Sequence, residues 1–102
     1  MIKGDILNIF DYTIPKEGEE FATLFQDKDI KISRIVSSDK LEKKLYIQDN
    51  NEFVVVLEGE AQLDIDGKIV NLRKGEYIFI EAKTPHYVLW SASGTLWLAI
   101  YF

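Results

Sequence analysis

The feature that most constrains this chain is a series of short apolar segments in its second half, each separated from the next by a turn signal. A β-branched run over residues 52–58 ends at Gly59, and residues 60–66 alternate apolar with polar side chains. Further apolar segments follow at residues 69–72, 77–80, 86–90 and 96–101. Strands that recur every ~8–12 residues with turns between them indicate a β-sandwich or barrel.

The turn signals in this half are specific. Asp66-Gly67 separates two alternating segments and predicts a two-residue hairpin of type I′, in which both central residues need positive φ. Gly75 and the pair Ser93-Gly94 mark two later turns. The second half is therefore expected to be all β.

The last predicted strand is apolar on both faces. Its two faces carry Leu96, Leu98, Ile100 and Phe102 on one side and Trp97, Ala99 and Tyr101 on the other. Because an antiparallel sheet usually leaves one face polar, one side is expected to line a barrel. The other side is expected to be covered by the N-terminal segment or by a second subunit, and a homodimer is predicted.

The first half of the chain mixes short apolar pieces with charge. Residues 5–10 suit a short strand, residues 19–25 suit a turn or two of helix, and residues 29–37 alternate as a half-buried strand. In that strand Ile30, Ile32 and Val36 are assigned to one side and Lys31, Ser33 and Ile35 to the other. The length of 102 residues predicts one domain, with an N-terminal arm and strands over residues 1–44 and a core over residues 45–102.

Composition excludes several classes of protein. The chain has no cysteine, which excludes disulfide scaffolds, thiolate nucleophiles and cysteine-ligated metals. It has no apolar run of ~20 residues and no long apolar stretch at its start, so neither a membrane span nor a signal peptide is expected and a cytoplasmic location is predicted. Its net charge of −5 is evenly spread, so neither nucleic acid nor a membrane is expected as a partner.

Two titratable residues open predicted strands. Glu52 follows polar neighbours and could be a solvated acid, but it has the same parity as Val54 and Val56, which favours an inward position where a carboxylate needs a partner. His86 is the only histidine and opens a strand after Pro85, where the residues alone favour a structural, hydrogen-bonded histidine. Five aromatic residues are assigned to the core or an interface, with one or two at a cavity mouth: Tyr77, Phe79, Trp90, Trp97 and Tyr101.

The spacing of these residues resembles the cupin superfamily, whose first motif reads G-x5-H-x-H-x3/4-E-x6-G and whose second reads G-x5-P-x-G-x2-H-x3-N. Glu52 and Gly59 fit the end of the first motif, and Gly75 and His86 fit the second. The segments over residues 52–61 and 95–100 resemble small single-domain bacterial cupins. The resemblance implies a small antiparallel double-stranded β-helix, or jelly-roll barrel, with at most a short N-terminal helical turn.

The chain departs from the family pattern where cupins hold their metal. The two histidine positions of the first motif carry Tyr46 and Gln48, and the second motif has Glu81, Lys83 and Trp90 in place of its proline, glycine and asparagine. Of the usual three histidines and one glutamate, Glu52 and His86 remain. The resemblance therefore implies a depleted site, in which Gln48, Glu52 and His86 are the candidate ligands of a divalent Zn, Mn, Fe or Ni ion.

Three functions stay open at this point. The first is a pocket that binds a small polar molecule through Tyr46, Gln48, Glu52 and His86, with or without a metal. The second is an enzyme of the isomerase, epimerase or metal-dependent oxygenase type, with Glu52 and His86 as catalytic base and acid. The third is an assembly subunit with a filled barrel, which would respond to changes at Trp97 or Tyr101.

Overall fold

The computed structural model describes residues 4–102, and the regular structure within that range consists of strands alone. The expectation about the start of the chain rests partly on residues 1–3, which lie outside the described residues. The eight strands are β1 (Glu19–Asp27), β2 (Ile30–Ser37), β3 (Glu52–Glu58), β4 (Glu60–Ile65), β5 (Lys68–Arg73), β6 (Tyr77–Ile80), β7 (His86–Ser91) and β8 (Thr95–Tyr101). No helix in the described range has the length and apolarity to cross a membrane.

The strands form two antiparallel sheets. One sheet has five strands in the order β1-β2-β8-β3-β6, and the other has three in the order β5-β4-β7. Their facing sides share one apolar cluster, to which β3 contributes Val54 and Val56, β4 contributes Leu63 and β8 contributes Trp97. This arrangement confirms the expected jelly-roll barrel.

Turn chemistry fixes the connections between the strands. Asp66 and Gly67 both have positive φ, at 50° and 86°, which confirms the type I′ hairpin between β4 and β5. The side chain of Asp64 also accepts a hydrogen bond from the Gly67 N–H at 2.8 Å. Gly59, between β3 and β4, has φ of 86°, and a Cβ there would lie 2.8 Å from the Cα of Thr95. Only glycine fits at this crossing.

Two predictions for the first half were wrong. Residues 19–25 belong to strand β1, which pairs with β2 over the full length of that strand, so the sheet's hydrogen bonds override a weak local helical pattern. Residues 5–10 form no strand. Their backbone turns instead, because the Asn8 side chain accepts a hydrogen bond from the Phe10 N–H at 2.8 Å and the Asn8 carbonyl accepts one from Asp11 at 3.0 Å.

The N-terminal segment crosses one end of the outer side of the five-stranded sheet. Arg34 donates to the backbone carbonyls of Ile9 and Asp11 at 3.3 and 3.0 Å, and Ile14 packs against Gly94. Leu96, at this end, is fully buried, whereas Phe102 at the other end is 48% exposed. The N-terminal segment therefore contacts this side at one end, whereas the other end stays exposed.

Candidate functional site in the barrel

The space between the two sheets opens to solvent through a small pocket. Its volume is about 50 Å³. The polar side chains around it come from both sheets and from the segment before β3: Glu19, Tyr46, Gln48, Glu52, His86 and Tyr101. All four residues that the sequence predicted to bind a ligand are thus brought together at one place.

Glu52 and His86 approach one another from opposite sheets. Glu52 opens β3 and His86 opens β7, and their side chains are 8% and 6% exposed. The Oε1 atom of Glu52 lies 3.6 Å from Nε2 of His86, which is an ion-pair distance and too long for a hydrogen bond. Within the described part of the chain, this buried oxygen has no hydrogen-bond partner.

The imidazole of His86 is held by its other nitrogen. Nδ1 lies 3.0 Å from the carbonyl oxygen of Thr84, and because a carbonyl only accepts, Nδ1 carries the hydrogen. Nε2 therefore faces Glu52. Burial by itself would lower the pKa of His86, but the Glu52 carboxylate and the Thr84 carbonyl outweigh it and raise that pKa above its usual 6.5. The pair favours the charged imidazolium.

Tyr46 is tied to His86 through backbone and ring. The two residues form an antiparallel bridge with two hydrogen bonds of 2.9 Å, and their rings stack with centroids 5.7 Å apart. Burial and the nearby Glu19 carboxylate raise the pKa of Tyr46 to about 12. At neutral pH this phenol therefore keeps its proton and donates a hydrogen bond.

Sequence reasoning missed Glu19. Its carboxylate enters the pocket from β1, where it accepts hydrogen bonds from the hydroxyls of Ser37 and Tyr46. Burial raises the pKa of Glu19 more than these hydrogen bonds lower it. The alternation of Glu19, Phe21 and Thr23 was the available signal, but it indicates an inward face only once this segment is recognised as a strand.

The aromatic residues of β6 and β8 lie in two different places, the pocket and the outer side of the five-stranded sheet. Trp97 and Tyr101 line the pocket, in agreement with the expectation that one or two of the five aromatic residues border the cavity. Tyr77 and Phe79 lie on the outer side of the five-stranded sheet and are 66% and 53% exposed. The reason is parity: β8 turns its odd-numbered residues inward, whereas β6 turns its odd-numbered residues outward.

The residues in the pocket do not fit the metal ion that cupins commonly hold. Among residues 4–102, no three His, Cys, Asp or Glu side chains converge closely enough to bind a metal ion. Glu52 and His86 supply two strong donors, and Glu19 does not converge with them closely enough to complete a set of three. Gln48 supplies only an amide, and Tyr46 stays protonated because its pKa is raised to about 12. A first-row divalent metal prefers at least three imidazole or carboxylate ligands. The set of donors is too weak for tight binding.

Comparison with solved structures shows the same fold elsewhere. A protein from Ralstonia eutropha JMP134 named "putative mannose-6-phosphate isomerase" is 27% identical, with a TM-score of 0.85 over 95% of this chain and 96% of that one. A protein of unknown function from Streptococcus pyogenes is 20% identical, with a TM-score of 0.81 over 99% and 90% of the two chains. An RmlC-like cupin from Shewanella frigidimarina is 19% identical, with a TM-score of 0.74 over 82% and 75%.

A comparison of the sequence with family models agrees with the structural comparison. No curated relative matches the chain. The family model of the cupin domain matches residues 41–101, a segment that contains Tyr46, Gln48, Glu52 and His86. Because this match covers more than half of the chain, and because the two sheets enclose a pocket at those residues, the protein belongs to the cupin family.

Proposed function

We propose that the protein binds a small polar molecule in the barrel pocket without a tightly held metal ion. The observation that carries the proposal is the Oε1 atom of Glu52, which is buried, faces the pocket and lacks a hydrogen-bond partner within the described residues. Leaving a buried acceptor without a hydrogen bond costs about 1–3 kcal/mol, and Nε2 of His86, at 3.6 Å, is too distant to donate one. A ligand that donates a hydrogen bond to Glu52 removes this cost.

Native mass spectrometry tests this proposal against the mass of the denatured chain. We expect a discrete small-molecule adduct on the wild-type protein and its loss in Glu52→Gln. Glu58→Gln is the matched control, since Glu58 lies on the same strand but pairs with Lys74 at 3.1 Å outside the pocket. An adduct that survives in Glu52→Gln, or bare wild-type protein, contradicts the proposal. Stoichiometric metal that disappears in His86→Ala contradicts its metal-free part.

Proton transfer is a second candidate, favoured by the geometry of the buried pair. The Thr84 carbonyl fixes Nδ1 of His86, so Nε2 is the nitrogen that can exchange a proton in the pocket. A carboxylate beside an imidazole suits general acid–base work near neutral pH. In D₂O, an enzyme would exchange a C–H hydrogen of its retained ligand, and Glu52→Gln would keep the ligand but abolish that exchange. A retained ligand that stays unlabelled excludes this candidate.

We also propose that two copies of the chain associate through the outer side of the five-stranded sheet. Register places five apolar side chains in one row across all its strands: Phe25, Ile32, Ile100, Phe53 and Phe79. Around this row Tyr77 is 66%, Phe102 48% and Ile30 46% exposed. The row carries no charge, so a twofold axis would bring apolar surface against apolar surface without opposing like charges.

The exposed area supports a second copy as the occupant. The protein exposes 6,877 Å², whereas a compact monomer of its mass would expose about 5,900 Å². The excess of about 1,000 Å² is comparable to the ~800 Å² that each partner buries in a standard interface. The excess is that of the whole chain, including the exposed N-terminal residues Ile6 and Leu7, and the outer row is the part of it that a second copy would cover.

Light scattering after size exclusion measures the mass directly. We expect twice 11.8 kDa for the wild type at micromolar concentration and about 11.8 kDa for Ile100→Lys. Ile69→Lys is the matched control, because Ile69 is 51% exposed on the other sheet and should remain dimeric. Circular dichroism checks that both variants fold. A wild-type mass near 11.8 kDa removes this proposal and leaves the pocket proposal unaffected.

A further inference from the structure

The pocket contains a second carboxylate that the family motif does not supply. Glu19 lies on β1, outside the matched residues 41–101, and β1 places it directly across from Ser37 on β2. This pairing directs the Glu19 side chain to the inner side of the sheet, where it lines the pocket together with Glu52. The chemistry of the pocket therefore depends on a strand outside the motif.

A chain of hydrogen bonds holds Glu19 in place. The indole N–H of Trp97 donates to Oγ of Ser37 at 2.9 Å, and the Ser37 hydroxyl donates to one oxygen of Glu19. The hydroxyl of Tyr46 donates to the other oxygen at 3.4 Å. Because an indole N–H can only donate, the hydroxyl hydrogen of Ser37 is left for Glu19. The chain thus orients Glu19 as an acceptor of hydrogen bonds.

The second acceptor is the unpaired Oε1 atom of Glu52, which is independent of this chain. Glu52 is 94% buried, and its charge adds to the effect of burial in raising the pKa of Glu19. Among the described residues that line the pocket, none is a lysine or an arginine. The only basic group there is the imidazole of His86, which already faces Glu52.

Lysines occur nearby, but at the outer rim. Lys43 and Lys44 line a neighbouring groove, and their ammonium groups lie 4.7 and 5.4 Å from the ring centroids of Tyr87 and Tyr46. Lys40 lines the same groove, and Glu17 and Glu42 offset two of these three positive charges. The positive groups are thus at the rim, whereas the buried acceptors are inside.

Size limits what the inner part can hold. The pocket volume is about 50 Å³, and one water needs at least ~10–15 Å³ of such volume. The buried part of a ligand is therefore limited to about four non-hydrogen atoms, the size of an amine or a diol end group. An ester phosphate has five and would bring a dianion against two carboxylates.

We propose that Glu19 and Glu52 form a paired acceptor site for a small ligand end group that donates N–H or O–H bonds and carries a positive charge or none. The inference rests on the proposed binding function and adds its ligand class. Glu19 then selects by charge: cationic donors bind best, neutral polyols less well, and phosphorylated compounds least.

Three probes with one carbon skeleton test this order: 3-amino-1,2-propanediol, glycerol and glycerol 3-phosphate. The chain has two tryptophans, so the indole N–H signals of Trp97 and Trp90 in a proton–nitrogen spectrum serve as pocket reporter and internal control. Trp97 is bonded to Ser37, whereas Trp90 is 48% exposed and lies outside the pocket lining. We expect the amine to bind at least about tenfold more tightly than glycerol 3-phosphate, with glycerol between them.

Two variants separate the role of Glu19 from general effects of charge. Glu19→Gln should reduce the preference for the amine over glycerol by at least about fivefold. Glu20→Gln removes the same net charge from the same strand, but Glu20 is exposed and points to the opposite side, so the preference should stay unchanged. Both variants conserve side-chain size, and dispersion of the amide signals checks that they fold.

The outcomes distinguish this inference from the proposed function. Tighter binding of glycerol 3-phosphate, an unchanged preference in Glu19→Gln, or no shift of the Trp97 signal with any probe overturns the inference. A ligand retained in native mass spectrometry and lost in Glu52→Gln would still support the proposed function in each of these cases. Absence of that ligand contradicts the proposed function and, because the inference rests on it, the inference as well.

Discussion

The five-stranded sheet has two faces that the same strands build in opposite ways. On β3, Glu52, Val54 and Val56 point inward and are buried, whereas Phe53 and Val55 point outward and are half-buried. On the inner face, Oε1 of Glu52 has no hydrogen-bond partner among the described residues. On the outer face, large apolar side chains are partly exposed to solvent. A buried acceptor without a hydrogen bond is stabilised by a small molecule that donates one, and an exposed apolar row is stabilised by contact with another apolar surface. One alternating strand thus provides two kinds of binding surface.

Truncation on each face should separate their contributions to folding. Trp97→Ala removes a 97% buried side chain from the inner cluster and should lower the free energy of unfolding by about 3–5 kcal/mol. Ile100→Ala, on the outer face, should cost only about 1 kcal/mol in the monomer, since Ile100 is half-buried. Urea unfolding below the dissociation concentration of the dimer measures both. Equal losses would show that the outer face is packed as well as the inner one.

Replacing the inner ion pair should raise stability rather than lower it. The double variant Glu52→Met/His86→Leu exchanges two buried polar groups for apolar ones of similar volume, and such exchanges are often stabilising by about 1–4 kcal/mol. We expect a gain of about 1–3 kcal/mol in the free energy of unfolding, with loss of the retained ligand. Glu52→Met alone should be destabilising, because it leaves His86 buried without its partner. A double variant that is less stable than wild type would mean that the pair serves folding.

The difference between the faces also explains what the sequence could predict. Parity placed Glu52 inward, and the turn at Asp66-Gly67 fixed the β4–β5 register, because both depend on local chemistry. Tyr46, Gln48 and His86 converge as the family spacing implied. The local sequence pattern therefore predicted most of the structure of the second half of the chain.

The first half was harder because its structure is set by partners distant in sequence. Residues 19–25 become a strand only by pairing with β2, so Glu19 could not be assigned to the pocket from its own neighbours. The same dependence applies to β8, whose two apolar faces gave no sign of which one turns inward. Pairing with β2 and β3 decides that Trp97 faces the pocket and Ile100 the outside.

The smallest expected effect is a pH dependence that belongs to the inner face alone. His86 is the only histidine, so its imidazole gives one nuclear magnetic resonance titration curve, and we expect a pKa above the usual 6.5. A group whose pKa is raised by folding stabilises the protein fully below its unfolded pKa and loses that contribution as pH rises through the folded value. The free energy of unfolding should therefore fall above pH 6.5, by no more than about 1.4 kcal/mol per pH unit for one proton.

Variants on β3 assign this slope to the buried pair. Glu52→Gln removes the carboxylate that raises the pKa of His86, so the titration should move to lower pH and the slope above pH 6.5 should flatten. Glu58→Gln, outside the pocket, should keep both features of the wild type. Burial raises the pKa of Glu19 as well, so Glu19 also lowers the free energy of unfolding as pH rises, but from about pH 4.5 upward. The single histidine signal separates the contribution of His86 from that of Glu19. A His86 titration that is the same in Glu52→Gln and wild type would mean that the two side chains do not interact in solution, and the unpaired carboxylate would then have no fixed neighbour in the pocket.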